Sequence, residues 1–154
     1  MIAPINRREF IAGLGGAAAW PLAARAQQGD RIRRIGVLMG GDENDPVRNA
    51  SVSAFTQTLA GLGWTVGRNV RMDLRWGGGD INRVGELVGL QPDIIVASTT
   101  TATAALQQET RTIPIVFVVG DPVASGLVPR LNQPGGNITG FALLEATLSP
   151  ALAH

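Results

Sequence analysis

Short apolar runs separated by longer mixed segments organise this chain. Ile32-Arg33-Arg34-Ile35-Gly36-Val37-Leu38-Met39 becomes continuously apolar and reads as a first strand, followed by the polar loop Gly40 to Pro46. Val47 to Leu62 places Val52, Phe55, Leu59 and Leu62 at three- and four-residue steps and is closed by Gly63, which predicts an amphipathic helix. Val70 to Trp76 alternates apolar and charged positions, as a strand at the edge of a sheet does. A brief helix follows through Val84, Leu87 and Val88 to Leu90. Ile94 to Ala97 has the length and β-branching of a fully buried strand, and it gives way to Ser98, Thr99 and Thr100 where an Ala-rich helix to about Glu109 begins. Ile115 to Val119 is unbroken apolar sequence and predicts a strand buried on both faces. It runs through Gly120-Asp121-Pro122-Val123 into an expected helix from Ala124 to Leu131. Pro134-Gly135-Gly136-Asn137 then turns the chain into a last strand, Ile138 to Phe141.

Strands alternating with helices predict an α/β fold: a doubly wound, parallel, five-stranded sheet of flavodoxin-like or Rossmann-like type with helices on both faces. In such a sheet ligands bind outside the carboxyl ends of the strands. Those ends are Gly40 to Asp45, Ser98 to Thr101, and Gly120 to Val123. At the Ser98 corner, free backbone N–H groups and the helix dipole favour an anionic or strongly polar ligand, and the hydroxyls add donors and acceptors. The structural alternative is that Ser98 or Thr99 serves as a helix cap. The loop at Gly41 and Asp42 reads either as a solvated connection or as one wall of a cleft.

The first residues follow a different plan. Arg7-Arg8-Glu9-Phe10-Ile11, a weakly apolar run to Leu22 and Ala24-Arg25-Ala26 have the three-part organisation of a twin-arginine signal peptide over residues 1–26, with cleavage expected after Ala26 and export to the periplasm. Residues 27–31 form a polar linker, 32–144 the folded lobe and 145–154 a tail without a finished element. Gly13, Gly15 and Ala18 fit a dinucleotide-binding spacing, but no strand precedes them and the match fails.

Composition narrows the chemistry. All 13 basic residues are Arg, and the first 26 residues hold three of them with one acid, which leaves 10 basic and 11 acidic groups scattered over the rest. That pattern gives no nucleic-acid footprint. Cysteine is absent and the single histidine is His154, so thiol catalysis, disulfides, Cys/His zinc sites and Ser-His triads are excluded or lack a base. No metal or cofactor is implied. An exported α/β enzyme using Asp121 or Asp42 as acid or base remains an alternative, as does a non-catalytic interaction module.

Several segments in order, namely Arg7 to Ile11, Gly15 to Gln27, Pro114-Ile115-Val116-Phe117, Asp121-Pro122-Val123 and Leu131 to Gly140, resemble the bacterial ABC-transporter substrate-binding proteins of the tryptophan/tyrosine-transport-like type. The resemblance implies a type I periplasmic binding protein, whose two lobes close on a small solute, with this chain matching the signal peptide and first lobe. It implies ligand contacts at Ser98, Thr99 and Thr100 and at Asp121 and Pro122, with Gly41 and Asp42 weaker candidates. It also implies binding without catalysis, a small-molecule solute such as an amino acid, an ABC permease in the inner membrane and the twin-arginine export machinery as partners. Two departures stand out: the family continues into a second lobe where this sequence stops at His154, and the Asp80 to Leu90 helix is shorter by about one turn of 3.6 residues. A truncated lobe with impaired binding is the resulting expectation.

Overall fold

A computed structural model describes residues 31–77 and 80–143. The chain divides into two units, Met1–Ile32 and Arg33–His154, and the fold is that of the second. Arg7, Arg8, the Ala26 cleavage position and the 145–154 tail lie outside the described residues.

Five strands, β1 (Arg33–Met39), β2 (Val70–Trp76), β3 (Ile94–Ala97), β4 (Ile115–Val119) and β5 (Ile138–Ala142), form one sheet in the order β2-β1-β3-β4-β5. Every neighbouring pair is parallel. The helices are α1 (Pro46–Gly61), α2 (Ile81–Gly89) and α3 (Thr100–Glu109). Asp45, Asp80 and Thr99 cap them, each side chain accepting from backbone N–H groups of the first turn.

The two sheet faces differ. On one, α2 and α3 bury Leu38, Ile95, Ala97, Ile115, Phe117 and Val119 in a core with Val84, Leu87, Ala102 and Leu106. On the other, α1 lays Val52, Phe55 and Leu59 against Ile35, Val37, Met39 and the half-buried Ile94 and Val96. No residue of α1 itself is buried, and Leu62, expected on its inner stripe, is 72% exposed. Helices therefore lie on both faces, as a doubly wound sheet requires.

Three expectations change. In β3 and β4, residues alternate between buried and half-buried, because no helix among the described residues covers Val96, Val116 and Val118 fully. Period-two burial thus replaces the two-sided burial read from their composition. Residues 122–126 form turns, and bends and irregular backbone follow to residue 130, where a helix was expected over 124–131. Gly126 takes a positive φ of 74° and Pro129 follows three residues later, so the segment holds too few helical residues to propagate a helix.

Candidate functional site: the carboxyl edge of the sheet

Strand order reverses between β1 and β3: the chain leaves β1 for β2 on one side and later returns to build β3, β4 and β5 on the other. Such a switch point opens a crevice at the carboxyl ends, since the connections leave in opposite directions. Gly40 to Asp42 leaves β1 here and Ser98 to Thr100 leaves β3.

The two corners are hydrogen-bonded together. Ser98 N–H donates to the Leu38 carbonyl at 3.1 Å, and Ser98 Oγ accepts from Gly40 N–H at 3.1 Å. A Cβ on Gly40 would overlap the Thr99 methyl, so only glycine permits this approach. Thr99 fills the capping role, its Oγ1 accepting from Ala102 N–H at 3.1 Å while its carbonyl accepts from Thr103 Oγ1 at 2.7 Å. Thr100 differs: its hydroxyl is half-buried and bonded to no described residue. As the first helical residue, Thr100 also has a backbone N–H without an intrahelical acceptor, as does Thr101.

Asp42 is exposed, and its Oδ1 accepts from both Asn44 N–H and Asn44 Nδ2 at 2.8 Å. Those bonds, the backbone one foremost, hold its carboxyl below the ordinary carboxylate range. It is an anion at neutral pH and closes a turn. Gly41 has a φ of 83°, and its carbonyl accepts from Gly77 N–H at 3.1 Å, tying the loop to the end of β2.

Asp121 stands beyond β4, the neighbour of β3, and therefore on the same edge as Ser98. Its Oδ1 accepts from Val123 N–H at 3.1 Å and Ala124 N–H at 2.8 Å; Oδ2 makes no bond to a described residue. Pro122 is fully buried beneath it and fixes the turn.

Beside this edge a groove of about 870 Å³ runs between α1 and the sheet, lined by Met39, Asp45, Arg48, Ser51, Ser98 and Val118 among others. Of the residues singled out in the sequence it contains only Ser98. It adds Arg48, whose Nε donates to Asp45 Oδ2 at 3.1 Å. Arg48 lies on α1, a turn past the loop, and nothing in its sequence neighbourhood distinguishes it from a solvated helix residue. Only the packing of α1 places it at the rim. Among the described residues no cluster of three or more His, Cys, Asp or Glu gathers to hold a metal. No helix among them is long and apolar enough to cross a membrane.

Residues 43–148 match the family of ABC transporter substrate binding proteins. A tyrosine-binding protein of Clostridioides difficile is 31% identical over 100 residues, which are 62% of this chain and 29% of that protein. Among solved structures, an ABC domain in complex with L-Trp from Streptococcus pneumonia superposes with a TM-score of 0.62 at 29% identity, covering 71% of this chain and 38% of that one. The ligand-free, open form of a substrate binding protein with adhesive properties from Clostridium difficile gives 0.63 at 28% identity over 72% and 39%. A conserved domain protein of Vibrio cholerae gives 0.66 at 32% identity over 73% and 39%. The chain thus spans well under half the length of the relatives it matches. With the parallel five-stranded layer, the switch-point crevice and a profile match across most of the folded unit, the chain belongs to the ABC transporter substrate-binding protein family.

Proposed function

We propose that this chain forms one wall of a solute site in an ABC-type uptake system, acting in the periplasm after twin-arginine export through Arg7 and Arg8 and cleavage after Ala26. The observation that carries the reading is the all-parallel sheet, which brings Gly41–Asp42, Ser98–Thr100 and Asp121–Pro122 to a single edge. The solute class is an amino acid. Its carboxylate meets the N–H groups and hydroxyls at the start of α3, where the helix dipole favours negative charge. The unengaged Asp121 oxygen meets its ammonium group. Relatives named for tyrosine and crystallised with L-Trp support that class. Ser98 and Thr99 position the crevice through their own bonds, while Thr100 and Asp121 hold the open valences.

Binding without chemistry fits the same geometry. Asp42 and Asp121 each commit an oxygen to a turn, and neither forms a hydrogen bond or ion pair with a second titratable group among the described residues. An inner-membrane permease is the partner that recognises the loaded form. Further enclosure comes from polypeptide outside the matched part, since that part covers only 38% and 39% of the solved relatives.

The test is an NMR titration of the full chain with L-Trp to about 10 mM, well above the dissociation constant expected of a single open wall, and with L-Tyr up to saturation. Amide shifts confined to Gly40–Asp42, Ser98–Thr101 and Asp121, weakened in Asp121→Asn and Thr100→Val, are the expected result. Shifts centred elsewhere, or none at the highest concentration, overturn the assignment.

A further inference from the structure

The two glycines that follow β1 are each in close contact with a side chain. Gly40 lies against the Thr99 methyl, and Gly41 against Arg48: a Cβ added to Gly41 would stand 2.9 Å from Arg48 Nε, 3.2 Å from Cδ and 3.4 Å from Cζ. Arg48 thus folds back from α1 over the loop. Asp45 holds it there, its Oδ1 capping α1 by accepting from Val47 N–H at 3.0 Å and Arg48 N–H at 3.3 Å while its Oδ2 accepts from Arg48 Nε at 3.1 Å. With Nε engaged, the four N–H groups of Nη1 and Nη2 remain, and they donate to no described residue. The Arg48 side chain is 37% exposed, so the pair adds little to stability; its effect is to fix the guanidinium. Arg48 lines the same groove as Ser98. The other acids of the loop do not engage it: Asp42 is bonded to Asn44, and neither Asp42 nor Glu43 lines the groove.

We infer that Arg48 is a specificity-determining residue of the solute site, its Nη groups binding the solute's carboxylate, with Asp45 as the positioning residue that holds the guanidinium. The inference rests on the amino-acid reading above and sharpens it: the solute has to carry a free carboxylate. The amides at the start of α3 supply about half a positive charge. A guanidinium supplies a whole one, together with a planar pair of donors that matches the two oxygens of a carboxylate. Asp45 sits at the Nε side, and the solute takes the Nη side. Thr99 and Arg48 touch successive glycines, whose Cα atoms are about 3.8 Å apart, so a carboxylate seated at Gly40 and Gly41 reaches both the guanidinium and the corner that opens α3. A side chain at either glycine would displace Thr99 or Arg48.

L-Trp and L-tryptophanamide test it, because the amide keeps the ammonium and indole groups and lacks only the carboxylate. The full 154-residue chain and its Arg48→Gln variant are titrated with each by NMR, following the Ser98–Thr101 amides and the Arg48 guanidinium N–H signals. Arg48→Gln is expected to weaken L-Trp by about fivefold, the scale of a charged hydrogen bond at a half-exposed position, and to change tryptophanamide by less than about twofold. In the parent chain the Arg48 guanidinium signals shift with L-Trp and stay in place with the amide, a measurement that does not depend on the variant's folding. Equal losses for the two ligands, no loss for either, or guanidinium signals that L-Trp leaves unmoved overturn the role of Arg48. Shifts at Ser98–Thr101 in those same experiments would leave the solute site itself standing. Absence of those shifts in the parent chain with both ligands removes the site and this inference together.

Discussion

Thr99 and Gly40 illustrate how much of the candidate site is ordinary backbone accounting. Three small hydroxyl residues after an apolar run were legible in the sequence as a strand-to-helix corner, and the capping reading of that corner holds at Thr99. Thr99 is the cap and Thr100 is left with an unengaged hydroxyl. The sequence could not divide the roles, because capping depends on which residue takes the extended φ of −140° before the first helical one. Thr99→Ala is expected to lower stability by about 1 kcal/mol, the usual worth of such a cap, measured by urea denaturation. Gly40→Ala should cost more, on the order of 1–3 kcal/mol, because its methyl has to displace Thr99. It should also abolish the amide shifts at Thr100 in the amino-acid titration.

Among the elements, the contrast between the two sheet faces at β4 and β5 governs the energetics. Phe117 is 1% exposed under α3, and Phe117→Ala should cost about 3–5 kcal/mol. Phe141→Ala on the open face should change monomer stability by less than about 0.5 kcal/mol. Equal losses at the two positions in chemical denaturation would mean that the open face is covered. The edge strand β2 is held to β1 by Arg34, whose Nε donates to Asp73 Oδ2 at 2.6 Å while Nη1 donates to the Leu90 carbonyl at 3.0 Å. That guanidinium hydrogen bond holds the Asp73 carboxyl below the ordinary carboxylate range. With the folded value depressed, the contribution is present above about pH 4, where the unfolded Asp ionises, and is lost as pH falls through the folded value. Asp73→Asn should therefore lower the denaturation midpoint at neutral pH, and the gap from the parent should narrow as the medium is acidified below that point. A gap independent of pH would exclude the ion pair as its origin. Strand and helix positions were readable because periodicity reports burial; the helix expected at Ala124–Leu131 was not realised because Gly126 and Pro129 outweigh its apolar content.

For the whole molecule, affinity follows from enclosure. A binding site normally buries most of its ligand's surface, and a single wall leaves much of it in water. The amino-acid titration should give a dissociation constant no tighter than micromolar, and submicromolar binding by calorimetry would mean that the enclosure is already complete. The sequence by itself determined the alternation of strands and helices, the identity of the corner residues and the charged edge at β2, because each is encoded within a few consecutive residues by period, turn chemistry and capping. Tertiary structure alone decided that the β1 and β3 corners meet at the switch point, that Arg48 reaches its rim and that no described helix fully covers Val96, Val116 and Val118. Strand order and helix coverage join residues far apart in the chain, 58 positions in the Gly40–Ser98 bond, and no local pattern carries that information.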